Sequence, residues 1–152
     1  MKRKGAGQKV KNKRYLIGQV KQVESPNFVM NPAELKDHLP QGEKFNIKRV
    51  YWITSPKGDK RSSQHAHTNE DEIFIVLQGK AHIILDDEGK RKKSLKLEKN
   101  DIVWVPRYVW HGLDRLGSES IVLALSSTNY DPERKGYIDD YQKFRAYLAK
   151  KK

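Results

Sequence analysis

Two histidines one residue apart, a glutamate five further on and a β-branched run closing on glycine stand together in "HAHTNEDEIFIVLQG", residues 65 to 79. Alternate residues on an extended backbone point to one side of a sheet, so His65 and His67 reach the same face. The run from Ile73 to Leu77, ended at Gly79, has the pattern of a buried strand stopped by a turn. Converging imidazoles at the start of such a strand fit a metal site, a metal-free acid/base site, or a hydrogen-bonded polar strand end. The acidic stretch "NEDE" at 69–72 also allows Glu72 to be a solvated strand-end carboxylate.

Strand-like runs recur on both sides of this stretch. "FNIKRVYWIT" (45–54) is broken by Pro56 and Gly58, and "KAHIILDDEGKRKKSLKLEKND" (80–101) reads as two strands around Asp87-Glu88-Gly89. "IVWVPRYVWHGL" (102–113) and "SIVLALSST" (120–128) complete the series, which predicts an all-β sandwich or barrel. The period changes at the end, where Tyr137, Ile138, Tyr141, Phe144, Tyr147 and Leu148 recur every three or four residues. That spacing predicts one amphipathic helix over about 137–149, packed on the barrel. "NPAELKDHL" predicts a short helix capped by Asn31 with Pro32 at its first position. Trp52 and Trp104 are expected in the core, His82 half-buried on a strand, and His38 without an evident partner.

A chain of 152 residues suits one domain. With no cysteine, disulfides and thiol nucleophiles are excluded and a reducing compartment, the cytoplasm, is expected. No apolar run reaches the ~18 residues a membrane span needs, so no membrane partner is expected. The net charge of +12 asks for an anionic partner, yet its distribution is uneven. Lys2, Arg3, Lys4, Lys9, Lys11, Lys13 and Arg14 crowd the start, and Lys150, Lys151 and Lys152 close the chain. Such blocks predict a flexible segment over 1–14, leaving 15–152 as the domain. No basic helix with interleaved aromatics is present, so nucleic acid is not the expected partner.

A third imidazole comes from "NDIVWVPRYVWHG", where Pro106 ends a strand and His111 begins the return. His65, His67, Glu72 and His111 form a ligand set suited to iron, manganese, nickel or zinc. Gly58, His65, His67, Glu72 and Gly79, followed by Pro106 and His111, resemble the two motifs of the cupin superfamily. That resemblance implies a double-stranded β-helix, or jelly-roll barrel. Asn100 and Tyr108 stand where the superfamily usually has glycines.

A narrower resemblance covers roughly 45 to 148. "IKRVYWI", "HAH", "ILDD", "VWH" and "SSTNYDPERKGYIDDYQKF" look like the nucleotide-linked 4-keto-6-deoxysugar 3,4-ketoisomerases related to the C-terminal domain of WxcM. The resemblance implies a homodimer with exchanged N-terminal strands. It further implies a metal-free reaction on a dTDP-4-keto-6-deoxyhexose, serving 3-amino-3,6-dideoxysugars of surface polysaccharide. Carried onto this chain, His65 and His67 are the acid/base set and Tyr51 a proton donor or shuttle. Arg49, Arg61 and His111 would line the sugar and diphosphate end, with Trp110 stacking on the base. Glu72 stands where that family commonly has glutamine, which keeps alive a metal-dependent cupin dioxygenase or sugar isomerase using His65, His67, Glu72 and His111. A non-catalytic cupin binding a sugar or nucleic acid is the third reading.

Overall fold

The computed structural model describes residues 14–58, 60–62 and 64–151; the flexible segment expected over 1–14 lies, except for Arg14, outside them. The strands are β1 (Leu16–Gln19), β2 (Val23–Glu24), β3 (Val29–Met30), β4 (Arg49–Ile53), β5 (Ala66–His67), β6 (Glu72–Gln78) and β7 (Lys80–Asp86). They continue as β8 (Lys93–Glu98), β9 (Asp101–Val105), β10 (Trp110–Asp114), β11 (Ile121–Ser126) and β12 (Tyr137–Ile138), before the helix α1 (Tyr141–Ala149).

An antiparallel sheet in the order β1-β9-β6-β11-β4 faces a second in the order β10-β7-β8. Phe74 and Val76 from β6, Val103 and Val105 from β9, and Val122 and Ala124 from β11 meet Ala81, Ile83 and Leu85 of β7 across the interior. The chain is an all-β cupin barrel with one C-terminal helix. Its central strand β6 is buried on both faces, which explains its unbroken apolar run. Ile73 and Ile75 point outward, where Leu35, Leu39 and Phe45 cover them.

Gly79 closes β6 at φ +72°, in the left-handed region. A Cβ there would stand 2.4 Å from Ser120 Oγ and 2.9 Å from its Cα. Gly42, at φ +85°, has nothing within 4 Å of its would-be Cβ. Gly79→Ala should therefore lower the melting temperature clearly more than Gly42→Ala, which carries only the ~1–2 kcal/mol left-handed penalty. Equal shifts in paired thermal melts would contradict the close-approach argument. Asn100 and Tyr108, in place of the expected glycines, keep the glycine-like backbone with φ of 70° and 64°. The turns of the second motif thus persist without their usual residues.

Three expectations change. The helix starts at Tyr141, where Asp140 accepts a hydrogen bond from the backbone N–H of Lys143. Tyr137 and Ile138 instead extend as β12 and pair with His67 and Ala66 of β5. "NPAELKDHL" forms only a 3-10 turn at Leu35–Asp37, and Asn31 accepts from Asn100 rather than capping it. Trp104 is buried as expected, but Trp52 is 70% exposed because β4 is an edge strand whose alternation turns Arg49, Tyr51 and Ile53 inward.

Candidate active site

The site is assembled at one end of the barrel, around β5. His65 exchanges two backbone hydrogen bonds with His111, tying the start of β5 to β10. Between the two histidines Ala66 faces the other way, fully buried against Trp110, Phe144 and Leu148. Strand alternation thus turns both imidazoles into the barrel mouth and the small residue toward the helix.

The two rings meet through their Nε2 atoms at 3.0 Å, a distance at which one nitrogen carries the hydrogen and the other accepts it. Tyr137, brought alongside by β12, stacks on His65 with ring centroids 4.4 Å apart and an interplanar angle of 20°. Behind the pair, Glu72 begins β6 with 2% exposure. Its Oε1 accepts the Tyr51 hydroxyl at 2.5 Å, and its Oε2 accepts from His111 Nε2 at 2.8 Å. Oε2 also lies 3.5 Å from His67 Nε2. Because His111 Nδ1 donates to the Val109 carbonyl at 3.0 Å, both of its nitrogens face acceptors, the environment of an imidazolium.

The charges follow from these contacts. Burial alone would raise the Glu72 carboxyl, but hydrogen bonds and charge from His111 and His67 hold it well below the usual carboxylate range. Burial alone would lower His111, and the Glu72 carboxylate overrides it, leaving this imidazole above its ordinary value. Desolvation, then the Glu72 charge, raises the Tyr51 phenol, which keeps its proton.

Glu70 adds a second buried carboxylate. It accepts Arg49 Nη2 at 2.7 Å and Ser126 Oγ at 2.5 Å on Oε1, while Oε2 lies 3.5 Å from His67 Nδ1. "NEDE" is thus split by alternation: Glu70 and Glu72 point inward, and Asp71 points outward to the backbone N–H and guanidinium of Arg107. A cavity of about 470 Å³ opens above the pair, lined by Arg49, Tyr51, His65, His67, Glu70, Glu72 and the loop carrying Tyr130, Arg134 and Tyr137. Arg49 Nε is buried on this wall and finds no partner among the described residues.

Of the residues expected at a site, His65, His67, Tyr51, Arg49 and Glu72 converge on the cavity. His111 joins them from behind and does not line it, with both ring nitrogens committed inward. Trp110 departs from expectation. Next to inward-facing His111 on β10, it turns outward at 2% exposure, packs on Tyr141 and Phe144, and donates to Gln64 Oε1 at 3.2 Å. A stacking surface for a base is therefore not at Trp110; of the tyrosines lining the cavity, Tyr130 stands out at 70% exposure. Arg61 also lies off the cavity, paired with Asp114 at 3.2 Å. Glu70, Ser126 and Tyr137 are site residues that sequence reasoning missed. Only the His67-x-x-Glu70 spacing hinted at the first, and nothing local at the others.

His65, His67, Glu72 and His111 also bring donor atoms within 4.8 Å of one another, the ligand set expected for a divalent metal. A metal there would need His111 Nε2 stripped of its hydrogen and the Glu72 oxygens released from Tyr51 and His111. No described helix is long and apolar enough to cross a membrane.

The model of the WxcM-like, C-terminal family (FdtA) matches residues 15–149. The TDP-4-oxo-6-deoxy-alpha-D-glucose-3,4-oxoisomerase of Aneurinibacillus thermoaerophilus is 34% identical over 107 residues, 70% of this chain and 75% of that protein. Among solved structures, WlaRA, a TDP-fucose-3,4-ketoisomerase from Campylobacter jejuni, superposes with a TM-score of 0.75 at 31% identity, covering 90% of this chain and 96% of that one. The sugar 3,4-ketoisomerase QdtA from Thermoanaerobacterium thermosaccharolyticum, solved in complex with TDP, gives a TM-score of 0.76 at 25% identity, with 90% and 96% covered.

Proposed function

The chain belongs to the WxcM-like, C-terminal family, and we propose that it is an isomerase, a sugar-nucleotide 3,4-ketoisomerase acting on a TDP-linked 4-keto-6-deoxyhexose. The observation that carries the chemistry is the His65–His67 pair, with Nε2 atoms 3.0 Å apart on the cavity wall. In the first half-reaction one imidazole takes the proton from C3; the C3–H electrons form the C3–C4 double bond, and O4 gains a proton to give the enediol. In the second, O3 loses its proton, the C3 carbonyl forms, and C4 receives a proton from the pair. Two imidazoles that share one hydrogen can take and return a proton in both halves.

Arg49 supports substrate binding: it lines the cavity, and the loop behind it brings Arg134 to the same mouth, a setting for a diphosphate. Tyr51, its hydrogen donated to Glu72, offers the sugar an acceptor oxygen and a proton it releases only as Glu72 exchanges partners. The scheme routes both proton transfers through the imidazoles and calls on no metal.

A cytoplasmic homodimer supplying 3-keto sugars for amination and surface polysaccharide is part of the same proposal. The pairing is favoured by apolar side chains left on the outside, with Val50 and Trp52 on edge strand β4 and Phe28, Val29 and Met30 on the β2–β3 hairpin. The direct test is incubation with TDP-4-keto-6-deoxyglucose and separation of the products. The proposal expects the 3-keto isomer; recovery of unchanged substrate from folded protein would overturn it.

A further inference from the structure

We infer that Arg134, rather than Arg49, supplies the positive charge that holds the diphosphate of the substrate. The inference deepens the nucleotide-sugar reading and rests on it for the identity of the ligand. Among the described residues, the lysines and arginines lining the cavity are Arg49, Arg134 and Lys135. Arg49 is one half of an ion pair, with Nη2 2.7 Å from Oε1 of Glu70, a carboxylate 7% exposed and held further by Ser126 Oγ. That pair brings no net charge to the wall. Lys135 is matched by Glu133 at 2.5 Å, with both side chains largely exposed. Arg134 makes no ion pair among the described residues, and its guanidinium lies over the Tyr137 ring, 5.1 Å from the centroid. Asp131 also lines the cavity, but its two oxygens accept the backbone N–H groups of Glu133 and Lys135, so it shapes the loop instead of pairing with Arg134.

The backbone adds an independent observation. Arg134 holds φ at +52°, a left-handed conformation that glycine adopts freely and an arginine adopts at a cost. Of the four non-glycine residues described at positive φ, it is the one that lines the cavity. Its N–H donates to the Asp131 carbonyl at 3.1 Å, its carbonyl accepts the Tyr137 N–H at 3.2 Å, and the Gly136 carbonyl accepts the Thr68 N–H at 2.8 Å, tying the loop to the end of β5. A strained residue kept at a site, where glycine would relieve the strain, points to a use for its side chain. Tyr137 also stacks on His65, with centroids 4.4 Å apart, so one aromatic ring links Arg134 to the acid/base pair. In a nucleotide sugar the diphosphate on C1 lies across the hexose ring from C3 and C4. With C3 and C4 at the imidazoles, the phosphates reach the Arg134 side of the cavity, where a guanidinium fork matches their oxygens.

The test is a ligand-observed NMR titration of the full chain with TDP, thymidine and inorganic pyrophosphate. Arg134→Gln should weaken TDP and pyrophosphate by ~10–100-fold, the scale of a lost hydrogen bond to a charged group, and leave thymidine within about threefold. Arg134→Gly, which suits the left-handed turn, should show the same loss while melting within a few degrees of wild type. Lys44→Gln, an equal change of charge away from the cavity, should leave all three affinities as they are. Equal TDP affinity in wild type and Arg134→Gln would overturn the inference and return the diphosphate to Arg49, with the nucleotide-sugar reading intact. A loss for thymidine as large as that for TDP would also overturn it, since the side chain would then shape the loop and not meet the phosphates. Wild-type protein that holds pyrophosphate through Arg134 but binds TDP no more tightly would remove the nucleotide from the reading and leave the anion site standing. Wild-type protein with no affinity for either would overturn both.

Discussion

His65→Asn should abolish ketone migration while leaving the fold intact. Asparagine fills similar space and keeps a polar end, but it neither accepts nor returns a proton, so the pair loses half of its chemistry. Proton transfer by a positioned side chain is worth about 10²–10⁴ in rate, and kcat should fall by at least the middle of that range. The fold should tolerate the change because the backbone hydrogen bonds between residues 65 and 111, not the imidazole, hold β5 in place. Turnover by His65→Asn within a few-fold of wild type would remove His65 from the mechanism. A melting temperature far below wild type would mean that the ring is structural.

Glu72→Ala should have the largest effect on stability. The substitution leaves His111, buried and placed between acceptors, without its counter-charge, and strands the Tyr51 hydroxyl. Breaking one side of a buried ion pair costs ~3–5 kcal/mol. At about 2–4 °C per kcal/mol for a chain of this size, the melting temperature should drop by ~6–20 °C. Glu72 is depressed in the folded state, so its contribution is present above the ordinary carboxylate value of 4.5 and is lost as pH falls through the lower folded value. His111 is raised, so its contribution is full below the ordinary 6.5 and is lost as pH rises through the higher folded value. Wild-type protein should therefore draw most from this pair between those limits, and Glu72→Ala should flatten both flanks of the stability–pH curve. A variant with the wild-type melting temperature and curve would contradict the buried pair.

The barrel strands from residue 72 onward were legible because each carries its own signal: a β-branched run, a turn glycine, or an alternating face. His65, His67 and His111 were legible for the same reason, since a period of two and one hairpin return suffice to aim them. Glu70 was hidden because a run of acidic residues looks solvated until the sheet decides which of them turn inward. Tyr137 was misread because its spacing to Tyr141 and Phe144 fits a helix, whereas its conformation is set by pairing with β5, seventy residues earlier in the chain. Trp52 and Trp110 failed in opposite senses. Alternation predicts that neighbours face apart, but only the tertiary structure reveals that the outer face of β4 is bare while that of β10 lies under α1.

The family resemblance pointed to both histidines; the loop from Thr128 to Tyr137, a matching stretch to which it gave no site role, lines the cavity. It did not anticipate what Glu72 does here. With glutamine at that position, His111 would have no anionic partner; with glutamate, the pair becomes an internal salt bridge whose second oxygen accepts the Tyr51 hydroxyl.

The measurement that bears most directly on the acid/base account is proton NMR of TDP-4-keto-6-deoxyglucose in deuterated water with chelator-treated enzyme. The account predicts conversion to the 3-keto isomer with deuterium at C4, delivered from a histidine in exchange with solvent. Chelated enzyme that stays inert until a divalent metal is restored, and that then carries hydrogen from C3 to C4 without exchange, would contradict it.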